Sequence, residues 1–144
     1  MRTGTSDREN AIALDTSAAI ALLIEDHEHH EATLEAVRGR RLGLAGHAWF
    51  ETFSVLTRLP GGRRRSAADA IRILAHDFPA SIFLGEKEAV ELGRGLAQMG
   101  VSGGAVYDAL VAGAARQHGL PLVSGDVRAR PVYEALGVAV TIIS

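Results

Sequence analysis

Short apolar runs alternate along the chain with longer segments whose apolar residues recur at helical spacing. The apolar runs predict about five strands, over residues 11–14, 42–45, 81–84, 120–123 and 138–143. The helical spacing predicts helices over residues 17–25, 27–40, 48–59, 66–78, 86–100, 106–119 and 127–137. Ser66 precedes one of these helices and is expected to cap it, and the Pro60-Gly61-Gly62 breaker ends another.

The predicted strands are apolar on both faces and are separated by helices. This pattern is typical of a mostly parallel sheet covered by helices on each side, a three-layer α/β/α architecture. In such open sheets ligands bind at the carboxyl ends of the strands. We expect a polar tail over residues 1–10 and one domain over residues 11–144.

The composition excludes only a few classes of protein and of site. The chain has 144 residues, 47% of them hydrophobic and 22% charged, which is ordinary for a globular domain. It has no cysteine, which excludes disulfides and thiolate metal sites. The longest apolar run covers residues 18–24, too short for a bilayer, and the first ten residues contain no apolar signal core. A cytoplasmic protein without a membrane partner is therefore expected.

Positive charge is carried almost entirely by arginine. A net charge of −2 gives no overall attraction to nucleic acid, but 14 of the 15 basic residues are arginines. Arginine binds phosphate well, so the run Arg63, Arg64 and Arg65 is a weak candidate for RNA contact, with a solvated loop as the alternative. Arg128 and Arg130 follow an acid at a predicted strand end and are the better placed candidates.

Two acids follow closely after predicted strands. Asp15 comes after the first strand and Asp126 after the fourth, at the sheet edge where ligands bind. Each also precedes a predicted helix, where aspartate is a favoured N-cap. The sequence leaves capping and ligand binding open for each acid taken alone.

Two further acids lie within predicted helices. Glu51 and Asp108 have small or apolar residues three and four positions away, so we expect both among apolar neighbours. Four carboxylates brought together would repel one another unless a cation bound them. Oxygen ligands favour Mg²⁺ or Mn²⁺, and such an acidic site is suited to phosphodiester hydrolysis by a metal-activated water.

Four stretches of this sequence resemble the PIN-domain ribonucleases, most closely the VapC-type toxins of bacterial type II toxin–antitoxin pairs. The stretches are "LDTSAAIALL", "HAWFETFSVL", "YDALVAGAARQHGLPLVSGD" and "YEALGV". The resemblance extends over nearly the whole chain and implies a PIN-like fold and a metal-dependent endoribonuclease. It implies that Asp15, Glu51, Asp108 and Asp126 are catalytic and hold Mg²⁺ or Mn²⁺.

The resemblance carries further expectations about support and partners. Ser17 and Ser124 match positions where the family often places a hydroxyl near the site, although many relatives have threonine at the second one. A homodimer and a small VapB-type antitoxin, which would lay an amphipathic segment in a groove of the toxin, are also implied. Whether one or two metal ions bind is left open.

Other patterns favour other functions less well. A haloacid dehalogenase-like phosphatase would need an aspartate where Ser17 stands and a lysine, for which Lys87 is the sole candidate. A non-catalytic, partner-binding α/β domain would leave Glu51 and Asp108 unexplained. The cluster "HEHHE" at residues 27–31 is expected to be a solvated helix start. Trp49, Phe50 and Phe53 are expected in the core or at a dimer contact, and few aromatics are available for base stacking.

Overall fold

Four short strands form one sheet at the centre of the protein. The structure, a computed structural model, describes residues 10–144. Within them the strands are β1 (Ala11–Leu14), β2 (Arg41–Leu44), β3 (Leu122–Ser124) and β4 (Val140–Ile142). Their order in the sheet is β2-β1-β3-β4, and every pairing is parallel. The expected polar tail, apart from Asn10, lies outside the described residues.

Helices connect the strands. They are α1 (Thr16–Leu23), α2 (His30–Ala36), α3 (His47–Thr57), α4 (Ala67–Asp77), α5 (Glu86–Gly95), α6 (Ala105–Gln117) and α7 (Arg130–Ala135). The hydroxyl of Ser66 accepts a hydrogen bond from the Asp69 amide, so the predicted cap of α4 is confirmed. Among residues 10–144, none of the helices combines the length and apolar character needed to cross a bilayer.

Each face of the sheet packs against its own group of helices. In β1, Ala11 and Ala13 join a buried cluster that contains α6, whereas Ile12 and Leu14 join the opposite cluster that contains α1 and α4. Side chains that alternate between two buried faces require an apolar residue at every strand position. The three-layer α/β/α architecture is therefore confirmed.

The predicted strand over residues 81–84 is not formed, so the sheet has four strands where about five were expected. This segment runs beside β2 and makes a single parallel bridge, between Ala45 and Ile82. The hydroxyl of Ser81 accepts the hydrogen bond from the Leu44 amide, at 3.0 Å, which a regular neighbouring strand would have accepted with a carbonyl. A side chain thus replaces part of the ladder.

The remaining predicted elements are present with shifted ends. The second helix begins at His30 rather than at residue 27, which leaves the start of the histidine cluster in turns. The helix predicted over 127–137 is divided into a 3₁₀ turn, Val127–Ala129, and α7. A sequence pattern predicts the ends of a helix least accurately, because the terminal turns fray and form irregular hydrogen bonds.

Candidate active site

Four carboxylates that lie far apart in the sequence line one cavity of about 280 Å³. The cavity lies at the carboxyl edge of the sheet, since Asp15 directly follows β1 and Asp126 lies two residues after β3. Glu51 reaches the cavity from α3, and Asp108 reaches it from the first turn of α6. The structure thus brings together all four acids that the sequence singles out.

Asp15 is almost fully buried and both of its carboxylate oxygens accept hydrogen bonds. Its Oδ1 accepts from the Ser17 hydroxyl at 2.7 Å and from the Ala18 amide at 3.0 Å. Its Oδ2 accepts from the hydroxyl of Tyr133 at 2.8 Å. Asp15 is therefore both the N-cap of α1 and a wall of the cavity, and the two interpretations of its position are compatible.

Two serine hydroxyls join the loops that follow β1 and β3. The Ser17 hydroxyl accepts a hydrogen bond from the Gly125 amide at 2.8 Å while it donates to Asp15. The Ser124 hydroxyl accepts from the Asp126 amide at 2.9 Å and lies 3.5 Å from that of Ser17. These contacts fix the distance between Asp15 and Asp126, which follow different strands.

Glu51 is more exposed than its sequence neighbours suggested. The buried face of α3 consists of Ala48, Thr52 and Leu56, and Glu51 lies on its exposed side. The expectation that it lies among apolar neighbours is wrong, although it lines the cavity. The Thr16 hydroxyl donates to its Oε1 at 2.9 Å, which ties α3 to the start of α1.

The charges of the cavity act on Asp108. Burial, as the largest cause, and the negative charges of Asp126, Asp15 and Glu51 together raise the pKa of its carboxyl from 3.8 to about 6. The guanidinium of Arg128 opposes this effect and lowers the pKa. The pKa of Tyr133 is also raised, first by burial and then by the charge of Asp15, so its hydroxyl keeps its proton and remains a donor.

The carboxylate oxygens of the cavity suit a cation such as Mg²⁺ that keeps several of its bound waters. Among residues 10–144, no three or more histidine, aspartate or glutamate side chains form a group that could hold a metal ion. Mg²⁺ usually keeps several waters and takes only one or two protein carboxylates, so this finding is compatible with Mg²⁺. Asp108 and one oxygen each of Glu51 and Asp126 accept no hydrogen bond from a described residue. Oxygen ligands of this kind are those that Mg²⁺ and Mn²⁺ prefer.

The sequence model of the PIN domain family matches residues 12–135. The chain belongs to the PIN domain family. The matched region begins within β1, ends with α7 and contains all four acids of the cavity.

Named relatives of this PIN domain are ribonucleases. It is similar to Ribonuclease VapC27 of Mycobacterium tuberculosis, with 46% identity over 131 residues, 91% of this chain and 96% of the relative. It is also similar to Ribonuclease VapC40 of the same species, with 40% identity over 135 residues, 92% of this chain and 99% of the relative.

Solved structures share the fold at lower identity. VapBC2 from Rickettsia felis, bound to a DNA fragment from its promoter, matches with a TM-score of 0.65 and 14% identity, over 93% of this chain and 99% of that one. FitAcB from Neisseria gonorrhoeae matches with a TM-score of 0.62 and 19% identity, over 90% of this chain and 95% of that one. These likenesses concern the fold.

The arginines suggested as RNA contacts lie in different places on the PIN domain. Arg128 lies beside the acids, with its Nε 3.6 Å from Oδ1 of Asp126 and its side chain almost fully exposed. Arg130 pairs with Glu134 on α7. The structure does not bring the run at residues 63–65 to the acidic cavity: Arg63 pairs with Asp26, Arg63 and Arg65 line a separate cavity, and Arg64 donates to the Leu59 carbonyl.

Sequence reasoning missed three hydroxyl-bearing residues that line the cavity, as well as Val111. Thr16 and Tyr133 hold Glu51 and Asp15 through hydrogen bonds, and Tyr107 forms part of the wall. Both tyrosines were visible in the stretches "YDAL" and "YEALGV", where each directly precedes an acid. Lys87, which a dehalogenase-like phosphatase would need, is the second residue of α5 and does not line this cavity.

Proposed function

We propose that this PIN domain is a metal-dependent endoribonuclease that hydrolyses RNA phosphodiester bonds. The observation that carries the proposal is the convergence of four carboxylates on one cavity at the carboxyl edge of the sheet. Support also comes from two relatives, 46% and 40% identical over more than nine tenths of the chain, that are named ribonucleases.

Mg²⁺ or Mn²⁺ would be held by Asp15, Glu51, Asp108 and Asp126, in part through water. Such an ion, when bound, lowers the pKa of a water and offsets the charge of a phosphate. The protein alone presents four acids to its substrate, and like charges repel, so RNA phosphate would approach this cavity poorly without a cation.

The side chains around the acids would fix their positions before RNA arrives. Tyr133 and Ser17 direct the two oxygens of Asp15, and Ser124 orients the Asp126 loop. Fixed charges lose less energy to reorganisation during a reaction than mobile ones do. Arg128, exposed beside Asp126, is the arginine best placed to contact an RNA phosphate.

We propose further that the protein is a toxin neutralised by a small VapB-type antitoxin and that it acts as a homodimer. The support is the similarity to the VapC relatives, together with a fold shared with the toxin–antitoxin pair VapBC2. The antitoxin would bind as an amphipathic segment in an apolar groove, as is common for partners of this kind.

Induction in a bacterial host tests the nuclease proposal. Wild type and Asp108→Asn are induced to matched protein levels, and new RNA 5′ ends are mapped within minutes. We expect discrete new ends from the wild type alone, because the variant removes one carboxylate from the cavity. The purified proteins are then assayed on the cleaved RNA with Mg²⁺, Mn²⁺ or EDTA, and only the first two should support cleavage.

The outcomes separate the proposed function from its competitors. Equal cleavage by both proteins would exclude the acidic cavity as the active site. Folded wild type that cleaves no RNA in cells or in vitro would favour a non-catalytic partner-binding domain. Hydrolysis of phosphate monoesters without RNA cleavage would favour a phosphatase. Co-expression with a candidate antitoxin should abolish the new ends and yield a complex that co-purifies.

A further inference from the structure

An exposed aromatic pair lies at the edge of the acidic cavity. Tyr107, on α6, lines the cavity and directly precedes Asp108. Its ring stacks on that of His47, with centroids 4.7 Å apart and planes inclined by 24°. His47 is the first residue of α3 and lies four positions before Glu51, so the two share a face of the helix. The stacked pair thus joins the two helices that carry these acids.

Much of the tyrosine ring remains open to solvent. Tyr107 is 52% exposed although it is stacked on His47, so the pair leaves a substantial part of its aromatic surface uncovered. The aromatic surface continues beyond it: Phe50 is 59% exposed, precedes Glu51 on α3, and lies 6.2 Å from the ring of Phe83. Of the two places expected for Phe50, the core is excluded because its side of α3 faces outward, and the dimer contact stays a prediction.

We propose that Tyr107, backed by His47, is a stacking platform for an unpaired RNA base whose adjoining phosphate occupies the acidic cavity. This inference rests on the proposed nuclease function and names the residue that would bind a base of its RNA substrate. Proteins that bind single strands combine a site for the backbone with aromatic rings on which bases stack. Here the ring is part of the cavity wall itself, so one nucleotide can reach both features.

A base fits this position better than a second copy of the chain does. An interface between copies would have to cover Tyr107, and Tyr107 lines the cavity through which a substrate must enter. Repulsion between two such acidic cavities would oppose that arrangement. Phe50, three positions after His47 on α3, and Phe83 remain available to either a second base or a partner.

Binding to RNA probes of different base content tests the platform. The measurements use the Asp108→Asn protein in the presence of Mg²⁺. This variant should leave RNA intact, and its cavity carries one negative charge fewer than that of the wild type. The labelled probes are oligoadenylate, oligouridylate and an abasic ribose–phosphate oligomer of the same length. Adding Tyr107→Ala should weaken binding of oligoadenylate about tenfold, with less effect on oligouridylate, whose bases stack less strongly. Binding of the abasic oligomer should not change.

Two variants serve as controls. Tyr107→Phe keeps the aromatic face and should bind all three probes as the background protein does. Ile71→Ala removes a similarly exposed apolar side chain, 51% exposed on α4 and away from the cavity, and should also have no effect. Rescue by phenylalanine distinguishes stacking from a hydrogen bond of the tyrosine hydroxyl.

Several results would overturn the platform without deciding the nuclease question. Equal weakening of oligoadenylate and abasic binding would mean that Tyr107 contacts only the backbone or supports the fold. A Tyr107→Ala protein that becomes smaller in sedimentation without RNA, with all probes weakened alike, would identify a subunit interface instead. Failure of the background protein to bind any probe would also overturn it. Cleavage by the wild type is scored separately, so the nuclease proposal can survive each of these outcomes.

Discussion

The carboxyl of Asp108 links the electrostatics of the cavity to the stability of the fold. Its pKa is about 6 in the folded protein, against 3.8 as the ordinary value. Well below both pKa values the carboxyl is protonated in the folded and the unfolded state, so its ionisation does not change the free energy of unfolding. As the pH rises through this window, the unfolded chain loses its proton first, so the free energy of unfolding falls. Above the window the penalty is constant.

Asp108→Asn should therefore stabilise the metal-free protein at neutral pH. We expect a gain of about 1 kcal/mol, since exposure of part of the side chain screens the interaction, and little gain at about pH 3, where both states are largely protonated. Urea unfolding in EDTA at the two pH values measures the difference. Glu91→Gln, an exposed change on α5, should show no such pH dependence. A less stable Asp108→Asn protein at neutral pH would contradict this account.

Tyr133→Phe should destabilise the protein, because it removes the hydroxyl that donates to Oδ2 of the buried Asp15. A hydrogen bond to a charged group contributes about 1.5–3 kcal/mol, and we expect a loss of that size in urea unfolding. Tyr107→Phe makes the same chemical change at a half-exposed position and should alter stability by less than about 0.5 kcal/mol. Equal effects of the two changes on the free energy of unfolding would show that the hydrogen bond to Asp15 does not stabilise the protein.

At the residue scale, the sequence predicted which acids converge but not what surrounds them. Asp15 and Asp126 were predicted at the same edge of the sheet because both follow strands, and all strands of a parallel sheet end at the same edge. The hydroxyl of Tyr133 reaches Asp15 across 118 positions, so no local pattern contains that contact. The exposure of Glu51 was predicted wrongly because helical spacing shows which residues share a face but not which face the core covers.

At the scale of elements, β2 packs closely against the segment that runs along its edge. A Cβ added to Gly43 would lie 2.1 Å from the carbonyl oxygen of Ala80, a backbone atom that has little room to move. Gly43→Ala should cost about 1–3 kcal/mol or more in urea unfolding. Gly93→Ala, on α5 with nothing within 4 Å, should instead stabilise the protein by about 0.5–1 kcal/mol. A tolerated Gly43→Ala would mean that the edge segment can shift.

The same edge explains why the strand count could not be predicted. The stretch "SIFL" has the apolar character of a strand, and residues 80–82 donate or accept hydrogen bonds along β2. Pro79 before it cannot donate to a ladder, and the Ser81 hydroxyl takes a carbonyl's place. The central strands, by contrast, were predicted well because burial on both faces demands continuous apolar residues.

For the whole molecule, a bound cation should couple to folding. Mn²⁺ that binds the folded cavity and not the unfolded chain should raise the free energy of unfolding, by about 2.7 kcal/mol at a concentration one hundred times its Kd. Thermal unfolding with increasing Mn²⁺ measures this effect. Asp108→Asn should gain clearly less, whereas Glu91→Gln should gain as much as wild type. Equal gains by all three proteins would place the cation elsewhere.

The hydrogen bonds between the loops after β1 and β3 have a consequence for synthesis of the chain. Ser17 bonds to Gly125 across 108 positions, and β1 pairs directly with β3 in the sheet. Asp15 can therefore meet Asp126 only after the ribosome has made most of this domain, because Asp126 lies near the end of the domain. A growing chain, or one released early before β3, has no complete acidic cavity. If the cavity is that of a ribonuclease, the cell is exposed to it only once translation of the domain is nearly finished.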